Sequence, residues 1–272
     1  MNIKTLIPIT FACILVACSF SVSAAATPNG DISEYLNEGI VHFMSGEFKS
    51  AIEDFSNSVK LNPNDYFAYY QRAKAHENTN EIDKAIADYG QVIKTGPRSH
   101  LAGISLYYRG VLYQKRKHFD EAIADYTSII ENKEEDKIRR AHAYNNRGLI
   151  YDRQGRYDRA IYDYNKAIEI IPGMLNAHYN RGASYANYGA YPLAMEDFRK
   201  ELEINPYSFA ARRYNQALVY YGQKDYHRSW YEVFRLMRAG ERVSGALVAD
   251  LKRSIKKQKQ DEPALLKSGL IE

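Results

Sequence analysis

Tyr144-Asn145-Asn146-Arg147-Gly148-Leu149-Ile150-Tyr151, followed by Tyr157-Asp158-Arg159-Ala160-Ile161-Tyr162-Asp163-Tyr164-Asn165-Lys166-Ala167-Ile168, is one copy of a unit that this chain writes six times. The small residue Gly148 has counterparts at Gly39, Ala73, Gly110, Gly182 and Ala217, at successive spacings of 34, 37, 38, 34 and 35. Twelve residues beyond each marker stands a second small residue: Ala51, Ala85, Ala122, Ala160, Ala194 and Ser229. Four further on comes a large one: Phe55, Tyr89, Tyr126, Tyr164, Phe198 and Val233. Pro63, Pro97, Pro172 and Pro206 close four of the units. A period of about 34 residues, running from Gly30 to Arg242, is that of a helical solenoid.

The residue types explain the period. Small residues at matched points let two helices approach closely, and the large side chain one turn along fills the space beside them. Proline cannot continue a helix, so it ends the second helix of its unit. A lone hairpin cannot bury its apolar face; stacked neighbours bury it together.

The quoted stretch resembles the bacterial form of the tetratricopeptide repeat, and the resemblance covers about four fifths of the chain. It implies a tetratricopeptide repeat protein of the bacterial cell envelope. The implied fold is an all-α, right-handed superhelical solenoid of about six helix hairpins with a C-terminal capping helix. Units one and six depart from the pattern: Glu38 stands where the next four have arginine, and unit six has Gln216, Ser229, Val233 and no closing proline. Terminal units of such arrays are atypical because they act as caps.

Two polar rows accompany the apolar ones. Arg72, Arg109, Arg147 and Arg181 precede the small markers, and Asp54, Asp88, Asp125, Asp163 and Asp197 lie on the second helices. Glu38 beside Asp54 in one unit would repel. Inter-repeat pairs are therefore expected: Asp54–Arg72, Asp88–Arg109, Asp125–Arg147 and Asp163–Arg181. On the first helices run Leu36, Tyr70, Tyr107, Asn145, Tyr179 and Tyr214, and beside them Asn37, Gln71, Tyr108, Asn146, Asn180 and Asn215. The resemblance places the first helices on the concave face. The candidate peptide groove is then Tyr70, Gln71, Tyr107, Tyr108, Asn145, Asn146, Tyr179, Asn180, Tyr214 and Asn215. Independently of the family, an amide both donates and accepts, so a row of them suits a peptide backbone of any sequence. Tyrosines add rigid amphipathic contact area. Only Lys74, Lys115 and Arg153 stand at concave positions, so an internal segment suits the groove better than a free carboxylate end.

The N-terminus is a separate object. Met1–Lys4 precedes an apolar run from Leu6 to Val22, broken by Pro8 and Ser19, which reads as an export leader. Two processing routes stay open: cleavage after Val22-Ser23-Ala24, or a lipobox-like Leu15-Val16-Ala17-Cys18 that makes Cys18 the lipidation site. The chain divides accordingly into leader 1–24 (1–17 if the lipobox is used), linker 25–31, six units over 32–242, capping helix 243–260 and tail 261–272. The only cysteines, Cys13 and Cys18, lie in the leader, which leaves the repeats without disulfides or thiol ligands. The expected location is outside the cytoplasm, periplasmic or anchored to the outer membrane.

No catalytic motif, cofactor site or metal site is legible. The seven histidines show no i, i+4 pair, and there is no glycine-rich phosphate loop or nucleophile elbow. A net charge of +4 on 272 residues does not argue for nucleic acid. The acidic stretch 131–137 reads as a solvated loop. After Gly240, Val243, Leu247, Val248, Leu251 and Ile255 form one apolar stripe, expected to cover repeat six. Lys252, Arg253, Lys256, Lys257 and Lys259 lie on its outer face, a solvated cap face or a membrane-surface element. The expected role is a non-catalytic protein–protein interaction scaffold that holds a peptide segment of an envelope protein. An accessory factor for cell-wall enzymes or for pilus or secretion assembly is the alternative, ahead of an envelope-polymer enzyme or a secreted effector.

Overall fold

Helix ends fall where the local chemistry puts them. In the computed structural model, which describes residues 31–267, Asp65, Ser99, Asp136, Ser208 and Asp225 each accept a backbone N–H in the first turn of the helix they precede. Four second helices stop at residues that directly precede proline, Asn62, Gly96, Ile171 and Asn205, all with φ near the extended region that a following proline imposes. Thirteen helices and no strand result among the described residues. They are α1 (Ile32–Met44), α2 (Phe48–Leu61), α3 (Tyr66–Asn78), α4 (Ile82–Thr95), α5 (His100–Lys115), α6 (Phe119–Glu131), α7 (Lys137–Arg153), α8 (Tyr157–Ile170), α9 (Leu175–Tyr188), α10 (Tyr191–Ile204), α11 (Phe209–Gly222), α12 (Tyr226–Arg238) and α13 (Gly245–Lys267). The leader, both processing sites and Cys18 lie outside the described residues.

Six hairpins, α1/α2 to α11/α12, stack in order, each packing on its neighbours. The turn inside every hairpin needs one residue with positive φ. Gly46, Gly155 and Gly189 take it without cost, while Asn80, Lys117 and Lys224 adopt it as L-residues. The small markers do what their spacing demands. A methyl on Gly148 would lie 2.9 Å from the Tyr164 ring, and one on Gly39 would lie 2.6 Å from the Phe55 ring. The row of large side chains from Phe55 to Val233 is fully buried.

The expected ion-pair register is overturned. Each arginine pairs with the aspartate of its own repeat, bidentately: Arg72 with Asp88 at 2.8 and 2.7 Å, Arg109 with Asp125 at 2.9 and 2.7 Å, Arg147 with Asp163 at 2.9 Å twice, and Arg181 with Asp197. The third guanidinium nitrogen is what crosses the boundary. It donates to Ser56, Thr127 or Asn165, the residue after the buried aromatic of the preceding repeat. At the corresponding place beside Arg109 stands Gly90, where a Cβ would sit 3.3 Å from that nitrogen. The terminal repeats keep the acid and move the base by one turn. Asp54 is held by His42 at 2.6 Å, which raises the imidazole above its ordinary value, while Glu38 faces solvent. Glu232 is held by Arg213 at 2.8 Å. The repulsion invoked for Glu38 and Asp54 therefore never arises.

Two further readings change. The stretch 131–137 is not wholly a solvated loop: the Glu135 side chain is buried, pairs with Arg139 and lies against Gly103, which has no side chain to exclude it. The last helix does not stop at residue 260, and it does not merely cover repeat six. It continues through Pro263 to Lys267, a stretch rich in strong helix formers, and it packs on α9 of repeat five as well as on α12. Leu247 and Leu251 are fully buried in one cluster with Phe198, Tyr214, Leu218 and Leu236. The segment leading into it reaches further back still. Arg242 meets the buried Asp152 carboxylate of α7 at 2.5 Å, and that carboxylate also accepts from Ser184 at 2.5 Å. The Ser244 N–H donates to the Tyr214 hydroxyl, Ser244 caps α13 through Leu247, and Tyr191 donates to Asp250 at 2.6 Å.

Candidate peptide-binding groove

The units beginning at α5 and α7 are longer than the rest, and the extra residues go into the helices. Gly110 lies ten residues into α5 and Gly148 eleven into α7, whereas Ala73 and Gly182 lie seven into α3 and α9. Three or four extra residues make about one added turn, roughly 5 Å of wall. His100, Ile104, Ile138, Arg139 and His142 occupy that added length or the turn next to it. Together with Tyr70, Tyr107, Tyr108 and Asp136 they line an open cavity of ≈ 820 Å³. Apart from the α7 cap Asp136, every lining residue belongs to the first helix of repeat two, three or four.

The aromatic floor of this cavity is interlocked. Tyr108 stacks on buried Tyr89 with centroids 6.0 Å apart, and the Lys74 ammonium lies over the Tyr108 ring, 4.3 Å from its centroid. Tyr107 meets Tyr108 edge-on at 5.8 Å and His142 at 6.4 Å. Burial pushes the Tyr107, Tyr179 and Tyr214 phenols above the ordinary tyrosine value, so all three stay neutral near pH 7.

The predicted groove residues divide into three groups. Tyr70, Tyr107 and Tyr108 are half-buried and line the cavity, and Gln71, next to Tyr70 on α3, is half-buried too. Asn145, Asn146 and Asn180 form a chain of amides across repeats: Asn146 donates to the Tyr107 hydroxyl at 3.3 Å, Asn145 to Asn146 at 3.2 Å, and Asn180 to Asn145 at 3.1 Å. Asn145 is buried and spends its amide within the protein. Tyr179, Tyr214 and Asn215 lie where the C-terminal segment folds back. Tyr214 is fully buried, stacked on Phe198 at 4.7 Å and bonded to Ser244, so it cannot touch a ligand. Tyr214 is therefore removed from the expected groove, and the C-terminal segment lies against the first helices of repeats four and six through Arg242 and Ser244.

Sequence reasoning did not find the wall residues His100, Ile104, Ile138, Arg139 and His142. The signal lies in the spacings of 37 and 38 between markers, of which only the second falls on the stretch 131–137 read above as a loop. Among the described residues no group of His, Cys, Asp and Glu could hold a metal ion, and no helix is long and apolar enough to cross a membrane.

Family models of the tetratricopeptide repeat match residues 36–100, 70–137 and 141–174. The chain belongs to the tetratricopeptide repeat family. No curated protein sequence matches it. Among solved structures it is similar to a MamA protein, at 25% identity over 64% of this chain and 92% of that one, with a TM-score of 0.58. It is also similar to YrrB, described as a tetratricopeptide repeat protein with an unusual peptide-binding site, at 22% identity over 66% and 90% of the two chains and a TM-score of 0.57. A third similar structure is PilF of Pseudomonas aeruginosa, at 13% identity over 76% and 91% and a TM-score of 0.59. The family models stop at residue 174, yet the tetratricopeptide hairpins continue through α12.

Proposed function

We propose that this tetratricopeptide repeat protein is a non-catalytic adaptor that docks an extended or partly helical segment of another envelope protein against α3, α5 and α7. The observation that carries the reading is the ≈ 820 Å³ cavity, with its tyrosine floor and its wall of added helical turns. A cavity of that size, mostly apolar and with a few polar groups at its edge, suits a bulky side chain of a peptide. Asn146, bonded to the Tyr107 hydroxyl at its edge, and Gln71, next in sequence to Tyr70, can pair with the peptide backbone. The peptide-binding site of YrrB supports a groove role as a likeness of fold. The alternative is an accessory factor for cell-wall enzymes or for pilus or secretion assembly.

The test is a double substitution, Tyr107→Ala with Tyr108→Ala. Removing two aromatic contacts should weaken the partner roughly tenfold to a hundredfold. The partner itself is captured by a photo-crosslinking residue at position 142; the same probe at exposed Tyr162 on α8 is the control. Equal capture at both positions, or unchanged affinity in the double variant, would sink the reading.

The proposed location is the cell envelope, either free in the periplasm or held at the outer membrane through Cys18. On the lipid route, Cys18→Ala should release the protein from the membrane fraction or leave the precursor uncleaved. A wild-type mature N-terminus at Ala25, read by mass spectrometry, would settle for the soluble route.

A further inference from the structure

The C-terminal end of the array concentrates charge that the rest of the chain does not carry. Residues 226–259 hold nine Lys and Arg against three Asp and Glu, a net +6, whereas the whole chain is only +4. Part of that charge is spent within the protein, Glu232 on Arg213, Asp250 on Tyr191 and Arg253, Arg228 on Asp225 and Arg242 on Asp152, so what faces outward is carried mainly by Arg238 and the lysines of α13. The outer faces of α8 and α10 are different: their exposed charges alternate in sign, as in Asp158, Arg159 and Glu169, or Glu196, Arg199 and Glu203.

The same end also exposes apolar side chains. On α12, Tyr231 is 57% exposed, Phe234 47% and Met237 49%. The Arg235 guanidinium lies over the Tyr231 ring at 5.7 Å. Across the helix pair, the Lys252 ammonium of α13 lies 5.9 Å from the Trp230 ring of α12, so the lysine edge of α13 borders the aromatic strip. Lys252, Lys256 and Lys259, spaced four and three residues apart, share that edge and are all exposed. Because α13 folds back toward α9, it leaves this outer side of the last hairpin uncovered.

We propose that this end of the array docks onto an anionic lipid surface. The lysine amines meet headgroup phosphates while their stems lie along apolar surface, and Tyr231, Phe234 and Met237 enter the boundary between headgroups and acyl chains. Charge complementarity selects a polyanion, and Phe234 and Met237 select a lipid one: they carry no hydrogen-bonding group to read another partner and gain only by leaving water. The surface is separate from the groove of α3, α5 and α7 and does not rest on its role.

The test uses residues 31–272, which contain all thirteen helices and every core cluster, with vesicles of phosphatidylglycerol or of phosphatidylcholine. Co-sedimentation should favour the phosphatidylglycerol vesicles and weaken as salt is raised. Replacing three lysines, Lys252→Gln with Lys256→Gln and Lys259→Gln, should lower that partitioning on the order of a hundredfold. Phe234→Ser, which leaves the charge untouched, should lower it about tenfold. Circular dichroism and melting of both variants should match the parent, since all four side chains face solvent. Equal partitioning on both lipids, no partitioning, or a triple variant that still binds would each overturn the proposal. So would tighter binding to a DNA duplex that Phe234→Ser leaves unchanged, which would assign the patch to a nucleic-acid polyanion instead.

Discussion

Asp163→Ala should destabilise the array by about 3–5 kcal/mol, because it leaves the Arg147 guanidinium buried without its carboxylate. The aspartate side chain is 1% exposed and the arginine 13%, so neither charge can turn to water without opening the repeat. Thr127 would remain as the only hydrogen-bond partner of Arg147 among those described, and a neutral hydroxyl cannot replace an anion. Equilibrium denaturation of the single and double variants reads both the magnitude and the register. Asp163 should couple strongly to Arg147, in its own repeat, and nearly additively to Arg181, in the next. Coupling the other way round would restore the inter-repeat scheme that the sequence suggested. Replacing Asp163 and Arg147 together by apolar residues of similar volume should recover most of the loss.

Phe198→Ala should cost a similar amount, about 3–5 kcal/mol. The Phe198 ring is fully buried, stacks on Tyr214 at 4.7 Å, meets Tyr179 at 5.7 Å and lies 3.0 Å from where a methyl on Gly182 would be. It therefore joins repeats five and six and, through Tyr214 and Ser244, the approach to α13. Its loss should also speed amide exchange at Ser244 and Leu247. A cost below about 1 kcal/mol, the range of a well-tolerated core change, would mean that the cluster collapses around the gap and that this junction is not where the C-terminal helix is held.

The repeats were legible because stacking imposes the same demand at every junction, so the same small and large residues recur at Gly148, Ala160 and Tyr164 and their counterparts. The ion pairs were half legible. The rows of arginine and aspartate were plain, but each arginine has an aspartate within about one repeat on either side in sequence, and only the helix-pair geometry chooses the one sixteen residues ahead. The substitutes at the ends, His42 for Asp54 and Arg213 for Glu232, were hidden because they sit one turn out of the row. The groove was legible as a pair of rows, and its occupancy was not. An apolar stripe such as Leu247 and Leu251 says which side of a helix is buried, without saying against which neighbour. The added turns of α5 and α7 were missed because a change in spacing between markers does not reveal whether a loop or a helix has grown.

The contact between Arg242 and Asp152 has a consequence for how the molecule comes apart. In an open array each hairpin knows only the next, so unfolding starts at an end and travels inward one junction at a time. Here the chain returns from beyond repeat six to repeat four and ties the last three hairpins and α13 into a closed circuit. Native-state hydrogen exchange should therefore find those hairpins opening together, and repeats one to three opening more readily from α1. The cavity lies on the seam between these two regimes. Its α7 wall belongs to the tied hairpins and its α3 wall to the linear run.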